Sequence, residues 1–341
     1  MGVTRNFKNL TFSLYPEAHE TRMYESYYRD GAWDEGAIVP FHNIELSPAA
    51  NILNYGQGIF EGMKAYRSVK GKIVMFRPEK NARRFARSCL KLAIPEVPVE
   101  KFMDAVKRVV LENEEFIPES EDGKYSMYLR PVCIGTEPLL GVRASKEYLF
   151  YIFASPVGPY FDKVGVVRLI VTDVHRASPN GTGDAKAVCN YAVTMPPHEE
   201  AKKKGFDGVL FLDPIHNRYV EEAGAANFFA LLSDDTLVTP PLGTILPGIT
   251  RESIIHLARE MFGMKVEERD ISIDEVCDNA KECFLCGTGA TITSISTIGW
   301  QNKEWNVNKN DFQLAHRLYD TLIGIQLQKL EDPYGWVMEL T

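Results

Sequence analysis

The chain has 341 residues, of which 45% are hydrophobic and 25% charged, a composition typical of a globular protein and not of a disordered or fibrous one. Its net charge of −8 gives no electrostatic reason to bind nucleic acid, and no stretch approaches the roughly 18 apolar residues of a membrane span. Because one hydrophobic core rarely serves a chain of this length, two domains are expected.

The six cysteines are scattered along the chain, and the N-terminal residues lack the apolar core of a signal peptide. These features predict reduced thiols in a cytoplasmic protein. Cys283 and Cys286 form a CxxC pair, but a structural zinc site needs a second ligand pair, and none follows at suitable spacing. The pair lies in an apolar run interpreted as a strand, which predicts two buried, unreactive thiols and no metal site.

Strand-like runs alternate with helices in the first half of the chain. Ile73–Phe76 is predicted to be a short strand, Pro78 begins a helix, and a second helix is predicted over Val99–Asn113. Two further strands are predicted over residues 124–131 and 148–154, on either side of a loop that contains Gly and Pro.

A stretch with two prolines and Tyr160 follows, and it is interpreted as a connector between domains. The predicted limits are a smaller N-terminal α/β domain over residues 1–158, a connector over 159–165 and a larger C-terminal domain over 166–341. The overall expectation is two domains of α/β or α+β type with a cleft between them, where small-molecule sites commonly form.

The second half begins with a predicted strand over Val167–Val171, a polar loop over residues 178–183, and then Lys186. The later predicted elements are, in chain order, a helix over Ala192–Lys204, strands over Gly208–Leu212 and Asn227–Leu232, a helix over Arg251–Phe262 and a strand over Glu282–Leu285.

Lys186 ends the glycine-containing segment Gly181-Thr-Gly-Asp-Ala-Lys186 and is followed closely by Asn190 and Tyr191. A lysine that forms a Schiff base must be held on a fixed backbone and lose its proton near neutral pH, which burial favours. An exposed lysine in a glycine loop is the simpler interpretation of this segment alone. A nucleotide-binding P-loop is a poor match, because Ala187 follows the lysine where Ser or Thr is required.

A carboxylate pair, Glu221 and Glu222, lies between two strand-like runs. A partly buried carboxylate can keep the ring nitrogen of a cofactor protonated, whereas an exposed turn glutamate has no such role. In an extended chain the two side chains point in opposite directions, so only one of them can serve a site.

Three further features are candidates for binding a phosphate. Ile249 and Thr250 follow Gly248 at the start of a predicted helix, where free N–H groups and the helix dipole attract anions. Thr288, in a glycine turn, can add a hydroxyl, and Arg84, on a predicted helix, can add a positive charge. Each of these features taken alone is more commonly structural.

The joint order of these segments closely resembles the branched-chain aminotransferase family, which belongs to the fold-type IV pyridoxal-phosphate enzymes. The match extends over roughly Tyr24 to Lys329. Its diagnostic stretches are Asn54-Tyr-Gly-Gln-Gly-Ile-Phe-Glu-Gly-Met-Lys-Ala65, Phe76-Arg-Pro78, Tyr128-Leu-Arg-Pro-Val132, Gly135-Thr-Glu-Pro138, Gly183-Asp-Ala-Lys186, Asn190-Tyr191 and Leu246-Pro-Gly-Ile-Thr-Arg251.

The resemblance implies the fold-type IV architecture, with two domains of α/β and α+β type, an active site in the interdomain cleft, and pyridoxal 5'-phosphate held mainly by the larger domain. It implies that Lys186 is the Schiff-base lysine and proton shuttle, that Tyr191 bonds the phenolic oxygen of the cofactor, and that Glu222 faces the ring nitrogen. Glu221 is then expected to point away from the cofactor. The groups implied at the phosphate are Arg84, the backbone N–H groups of Ile249 and Thr250, and Thr288.

The resemblance also implies a substrate pocket and a partner subunit. The residues implied at the substrate are Tyr55, Phe60, Tyr128, Arg130, Tyr160, Ala225 and Gly289. Arg130 is available to a second carboxylate. The loop that carries Leu140 and Val142 is implied to reach the partner subunit's site, which makes an obligate homodimer the expected assembly.

The activity that the resemblance implies is transamination of leucine, isoleucine and valine with 2-oxoglutarate, giving branched 2-oxo acids and glutamate. Two departures from the family pattern concern substrate preference. Val188 and Cys189 stand where many relatives have two glycines, and Ala225 removes a hydroxyl that contacts the substrate.

Three alternatives stay open. One is a fold-type IV relative with other substrates, such as a D-amino-acid aminotransferase or an aminodeoxychorismate lyase. A second is a biosynthetic aminotransferase specialised for an unusual side chain. The third is a non-catalytic binding protein on the same scaffold, which is expected to lose the lysine or the glutamate; both residues are present.

Overall fold

The computed structural model describes residues 5, 7, 9–160 and 166–341, so residues 161–165 of the predicted connector lie outside the described residues. Contacts divide the chain into two units. Unit 1 consists of Met1–Tyr160, Ala185–Cys189 and Ile323–Thr341, and unit 2 consists of Phe161–Asp184 and Asn190–Leu322.

The strands, in chain order, are β1 (Arg22–Arg29), β2 (Ala32–Trp33), β3 (Ala37–Pro40), β4 (Gly58–Phe60), β5 (Met63–Arg67), β6 (Ile73–Phe76), β7 (Ser126–Gly135), β8 (Tyr148–Val157), β9 (Val166–Val171), β10 (Gly208–Leu212), β11 (Val220–Ala223), β12 (Ala226–Leu232), β13 (Leu237–Thr239), β14 (Val266–Glu268), β15 (Ala280–Gly287), β16 (Thr291–Trp300), β17 (Lys303–Asn306) and β18 (Val337–Glu339).

The α-helices are α1 (Asn51–Tyr55), α2 (Pro78–Lys91), α3 (Val99–Glu112), α4 (Cys189–Ala192), α5 (Met195–Lys203), α6 (Ile249–His256), α7 (Ile273–Asn279) and α8 (Gln313–Gln326). Two short 3-10 turns lie at Ala18–Glu20 and Glu114–Phe116, and a π-helical turn at Leu257–Met261 continues α6.

Unit 1 is built on a sheet in the order β18-β6-β5-β7-β8-β1-β2, with β3 paired to β1 and β4 paired to β7. The antiparallel pair β7 and β8 forms its centre. Helices α2 and α3 contribute Phe85 and Phe102, which are fully buried and lie 5.1 Å apart between ring centroids. Phe102 also stacks on Phe150 of β8, so the helices and the sheet share one core.

Unit 2 contains a second sheet, in the order β11-β10-β9-β16-β15-β12-β13-β14, with β17 paired to β16. Strand β9 runs parallel to both β10 and β16, whereas β12, β15 and β16 are antiparallel neighbours. The inner residues of these strands, such as Phe228, Leu285 and Ile295, form the core of this unit.

Several predicted elements are confirmed. Strands β6 and β10 have the predicted bounds, and α2 begins at Pro78. The strand predicted over residues 124–131 begins two residues later, as β7, and continues to Gly135.

The helix predicted over Ala192–Lys204 is confirmed as α5 over Met195–Lys203, but it begins three residues later than predicted and is separated from the short α4, which ends at Ala192. Pro196 and Pro197 explain the break. A proline disfavours helical backbone in the residue before it and lacks an N–H to donate, but it is accepted in the first turn of a new helix.

The division of the chain differs from the predicted limits, because two segments predicted in the second domain pack with unit 1. Ala187 forms an isolated bridge with Ile59 of β4. Near the other end of the chain, β18 pairs with β6. Such pairings between distant segments depend on which strand edges are open in the folded protein, and the local sequence pattern does not show this.

The CxxC thiols are buried strand residues, as predicted. Cys283 and Cys286 both lie on β15 with no exposed surface. Burial raises the pKa of each thiol well above its usual value, which suppresses the reactive thiolate.

No helix in the part of the chain that the structure describes is long and apolar enough to cross a membrane. Within the same residues, no group of three or more His, Cys, Asp and Glu side chains is arranged to hold a metal ion. The cytoplasmic location expected from the sequence stays a prediction.

Candidate active site

Lys186 is held on unit 1 by its backbone. Its carbonyl accepts a hydrogen bond from the N–H of Phe60 at 3.1 Å, and the N–H of Val188 donates to Gly58 at 3.0 Å. The N–H of Lys186 donates to the hydroxyl of Ser88 on α2 at 3.0 Å. The lysine is half-buried, and its Nζ lies 4.8 Å from the centroid of the Phe60 ring. It is therefore not a loosely held lysine in a glycine loop.

Glu61, which sequence reasoning missed, is a fully buried carboxylate next to this lysine. It accepts hydrogen bonds from Arg84 Nε at 2.7 Å, Arg84 Nη2 at 2.9 Å and Asn81 Nδ2 at 2.9 Å. Burial by itself raises the pKa of Glu61, but the Arg84 guanidinium and the Lys186 ammonium together hold it below its usual value. A lone acidic residue in the apolar run Gly-Ile-Phe-Glu-Gly-Met was the signal that could have found it.

Arg84, a predicted phosphate ligand, lies on α2 and is almost fully buried. Two of its N–H donors are directed at Glu61, so the guanidinium is held in a fixed, bidentate geometry. A contact with phosphate stays a prediction for this residue.

Three of the predicted substrate residues are brought together on unit 1. The Arg130 guanidinium lies 4.8 Å from the Phe60 ring centroid and 5.3 Å from that of Tyr128. Arg130 Nη2 donates to the Tyr128 hydroxyl at 3.4 Å. Arg130 Nε is buried without a hydrogen-bond partner among the described residues.

Two aromatic contacts extend this group. Phe12, which sequence reasoning missed, packs edge-on against Tyr128 and Tyr160, with centroid distances of 4.9 and 4.8 Å. Gly62 admits the Tyr128 hydroxyl, because a Cβ at this position would lie 1.9 Å from that oxygen. Phe12 precedes the first strand in an irregular segment, so no periodic pattern could have connected it to the pocket.

The remaining predicted residues of unit 1 are Tyr55, Leu140 and Val142. The Tyr55 hydroxyl donates to the carbonyl of Leu140, which ties the end of α1 to this loop. The side chains of Leu140 and Val142 are 85% and 87% exposed. A contact of this loop with a partner subunit stays a prediction.

In unit 2, Glu222 is buried on β11, and its carboxylate contacts several neighbouring groups. It forms an ion pair with Arg176, accepts from Asn227 Nδ2 at 3.2 Å and accepts from the N–H of Leu246 at 3.4 Å. The exposed-turn interpretation is therefore wrong for Glu222.

Glu221 is also buried, at 5% exposure, so neither glutamate is an exposed turn residue. Its expected direction, away from the cofactor, stays a prediction. Burial raises the pKa of Glu221, and nearby Thr244 and Arg176 offset only part of this effect. Arg176, like Glu61, was not anticipated from the sequence.

The N-terminus of α6 is fixed beside Glu222 by Asn227, whose Nδ2 also donates to the Leu246 carbonyl at 3.0 Å. Gly248 is required there, because a Cβ would lie 1.9 Å from Asn227 Oδ1. Ile249 and Thr250 then open the helix, and the N–H groups of a first helical turn have no acceptor within the helix. The predicted anion site therefore has the expected local geometry.

The other predicted residues of unit 2 are Tyr191, Ala225, Thr288 and Gly289. Tyr191 lies on α4, and Ala225 lies in the tight turn between β11 and β12 after Gly224, which has a φ of +62°. Thr288 and Gly289 form the turn between β15 and β16 and are half-buried. The structure does not by itself assign a ligand to these four residues.

The donor set fits the pyridoxal phosphate implied by the sequence resemblance. An aldehyde needs a fixed amine, a ring nitrogen needs a buried carboxylate, and a phosphate needs free N–H donors. Lys186, Glu222 and the first turn of α6 meet these needs. The guanidinium of Arg130, which lies beside Phe60 and Tyr128, has the charge that a substrate carboxylate requires.

Comparisons with known proteins agree with this chemistry. The family model described as "Amino-transferase class IV" matches residues 58–298. The chain is 43% identical over 317 residues to branched-chain-amino-acid aminotransferase 5, chloroplastic, of Arabidopsis thaliana, covering 92% of this chain and 75% of the relative. It is 40% identical over 311 residues to the methionine aminotransferase BCAT4 of the same organism, covering 91% and 86%.

Among solved structures, the chain is similar to a T.th. branched-chain amino acid aminotransferase in complex with N-(5'-phosphopyridoxyl)-L-glutamate. The TM-score is 0.76 at 26% identity, and the match covers 94% of this chain and 99% of that one.

Proposed function

The chain belongs to the class IV aminotransferase family, as a branched-chain amino acid aminotransferase of fold type IV that uses pyridoxal phosphate, and from this premise we propose which residues carry its reaction. The proposal assigns the cofactor to Lys186 and the ring nitrogen to Glu222. One observation carries it: the backbone of Lys186 is fixed on β4 and α2, so its Nζ is presented at a defined place beside the buried Glu61–Arg84 pair.

When bound, pyridoxal phosphate would supply the aldehyde that joins the amino group of the substrate and the ring that holds the electrons left when the α-proton is removed. Lys186 would take that proton on Nζ and deliver it to the cofactor, which keeps the amino group when the 2-oxo acid leaves. Glu222 keeps a proton on the ring nitrogen, and its contacts with Arg176 and Asn227 hold the carboxylate ready for this task. Tyr191 donates to the phenolic oxygen.

The phosphate is proposed to lie at the first turn of α6. The N–H groups of Ile249 and Thr250 face it, and the hydroxyl of Thr288 and the guanidinium of Arg84 complete the donors. Because the N–H groups of Ile249 and Thr250 are fixed by the helix before binding, little affinity is lost to their ordering.

The substrate pocket must accept both a branched apolar side chain and the second carboxylate of glutamate. Phe60, Tyr128 and Tyr160 supply apolar walls, and Phe12 supports two of them from behind. Arg130 supplies a charged donor for the carboxylate. We propose Tyr55, Ala225 and Gly289 as the remaining contacts, and amino acids with their 2-oxo acids as the substrates.

Methionine is a second candidate substrate. The similarity to a methionine aminotransferase is nearly as high as that to a branched-chain enzyme. Ala225 supplies no hydroxyl to the pocket, which suits a long thioether side chain at least as well as a short branched one.

The first test is the visible absorbance spectrum of the purified protein with added pyridoxal phosphate. We expect a band from the protein-bound cofactor that disappears when leucine is added and returns with 2-oxoglutarate. The second candidate is tested by adding methionine in place of leucine and comparing the rates at which the band is lost. If the protein shows no band after the cofactor is added, the proposal is contradicted. If the band is present but only an amine other than leucine or methionine removes it, the cofactor assignment holds and the proposed substrates are wrong.

We further propose that the enzyme is a homodimer in which the Leu140 and Val142 loop reaches the partner subunit's site. We expect the double substitution Leu140→Asp and Val142→Asp to shift the sedimentation coefficient from dimer to monomer and to lower activity with it, because each carboxylate must be desolvated at the interface. Ile215→Asp is the control, since Ile215 is 68% exposed in unit 2. A wild-type monomer, or a variant that remains an active dimer, would refute the proposed assembly.

A further inference from the structure

The guanidinium of Arg176 joins three separate segments of unit 2. It forms an ion pair with Glu222 on β11. Its Nη2 also donates to the carbonyl of Gly183 at 3.2 Å and to that of Thr244 at 3.4 Å. Gly183 belongs to the loop that leads to Lys186, and Thr244 belongs to the loop that leads to α6.

These loops approach each other closely at the arginine. A Cβ on Gly183 would lie 1.9 Å from the Thr244 carbonyl oxygen, so the two backbones are in direct contact. Arg176 is 8% exposed, and its Nη2 makes the contacts with Glu222 and both carbonyls, whereas its Nε has no hydrogen-bond partner among the described residues. The arginine therefore fixes Glu222 relative to two loops that precede proposed cofactor ligands.

Two adjacent buried carboxylates, those of Glu221 and Glu222, lie near one buried guanidinium, that of Arg176. Glu222 receives the direct ion pair, and Glu221 interacts with Arg176 at longer range. The other charged or titratable groups that act on this pair of glutamates are His175, Asp213 and Cys286. Without the arginine, two adjacent buried carboxylates would both favour protonation.

We propose that Arg176 is a positioning residue of the transamination reaction, which keeps Glu222 ionised and directed at the cofactor's ring nitrogen. This inference rests on the proposed function of Glu222. If Glu222 took up a proton of its own, the ring nitrogen would lose its positive charge, and the cofactor would accept electrons less well. Arg176 need not touch the cofactor or the substrate to have this effect.

The test compares Arg176→Gln with the wild-type holoenzyme. We expect kcat to fall on the order of 100-fold while KM for the amino acid changes less than about threefold, because the loss affects the reaction and not the binding of substrate. The pH midpoint of the visible band is expected to rise by about one unit, since a neutral ring nitrogen no longer disfavours a proton on the nitrogen that joins the cofactor to Lys186. The cofactor dissociation constant is expected to rise on the order of tenfold.

Two variants complete the design. Arg176→Lys keeps the charge and three donors, but its Nζ ends one bond short of the position of Nη2, so the contacts with Glu222 and both carbonyls are expected to lengthen. We therefore expect kcat and the pH midpoint to lie between those of Arg176→Gln and the wild type. Arg269→Gln is the matched control, because Arg269 is ion-paired with Glu267 and Glu275 in the same unit; its spectrum is expected to match the wild type. If Arg176→Gln does not fold, Arg176→Lys decides, and an unchanged kcat in that variant overturns the inference.

The outcomes separate this inference from the proposed function. A wild-type protein without the visible band overturns the proposed function and this inference with it. A wild-type band with an unshifted midpoint and unchanged kcat in Arg176→Gln overturns the inference alone, even when the thermal stability of the variant falls.

Discussion

Replacement of Lys186 by alanine is expected to abolish transamination, with kcat at least about 10,000-fold below that of the wild type. The variant has neither a nitrogen to bond the cofactor nor a base to move the α-proton. Its backbone contacts with β4 and α2 are made by main-chain atoms of the segment, so the fold is expected to survive. The measurement is a steady-state assay with leucine and 2-oxoglutarate, with circular dichroism as a control for folding.

A second lysine makes this prediction sharper. Lys64 lies on β5 in the same unit, and burial lowers its pKa to about 8, a property expected of a reactive lysine. Borohydride reduction of the holoenzyme followed by peptide mass analysis locates the attached cofactor. We expect the label on the peptide that contains Lys186 and none on the peptide that contains Lys64. A label on Lys64, or full activity in Lys186→Ala, would contradict the assignment.

The sequence indicated candidate site residues but not the residues that pair with them. Lys186 and Glu222 could be found because each stands in a short segment with a recognisable order. Glu61 and Arg176 act through ion pairs with residues 23 and 46 positions away, respectively, at Arg84 and Glu222. Pairings at such separations depend on how strands and loops pack, so neither periodicity nor composition predicts them.

The same limit applies to the fold. Local signals gave the positions of β6, β10 and α2 because apolar runs and an N-terminal proline decide them. The return of Ala185–Cys189 to unit 1 depends on the free edge of β4, which local sequence does not show. The placement of the catalytic lysine therefore belongs to tertiary structure, even though its identity could be read from the sequence.

The other large effect is expected at Glu61. Glu61→Gln removes the charge that compensates the buried guanidinium of Arg84, and we expect the free energy of unfolding to fall by about 3–5 kcal/mol. The control is the exposed ion pair between Glu79 and Arg83, which lies on α2, the helix that also carries Arg84. Glu79→Gln is expected to cost less than about 0.5 kcal/mol, because exposed ion pairs contribute little. Urea unfolding of the two apo variants measures both changes in the free energy of unfolding. Equal changes would show that the buried ion pair stabilises the fold no more than the exposed one.

The pH dependence of this loss tests whether charge is the cause. The pKa of Glu61 in the folded protein lies below its ordinary value of 4.5, so its stabilising contribution is complete above pH 4.5 and is lost as the pH falls through the folded pKa. The glutamine of the variant does not titrate. The difference in unfolding free energy between wild type and Glu61→Gln should therefore be constant near neutral pH and shrink progressively below pH 4.5. A difference that persists unchanged in acid would mean that the lost packing and hydrogen-bond geometry, and not the carboxylate charge, stabilise this part of unit 1.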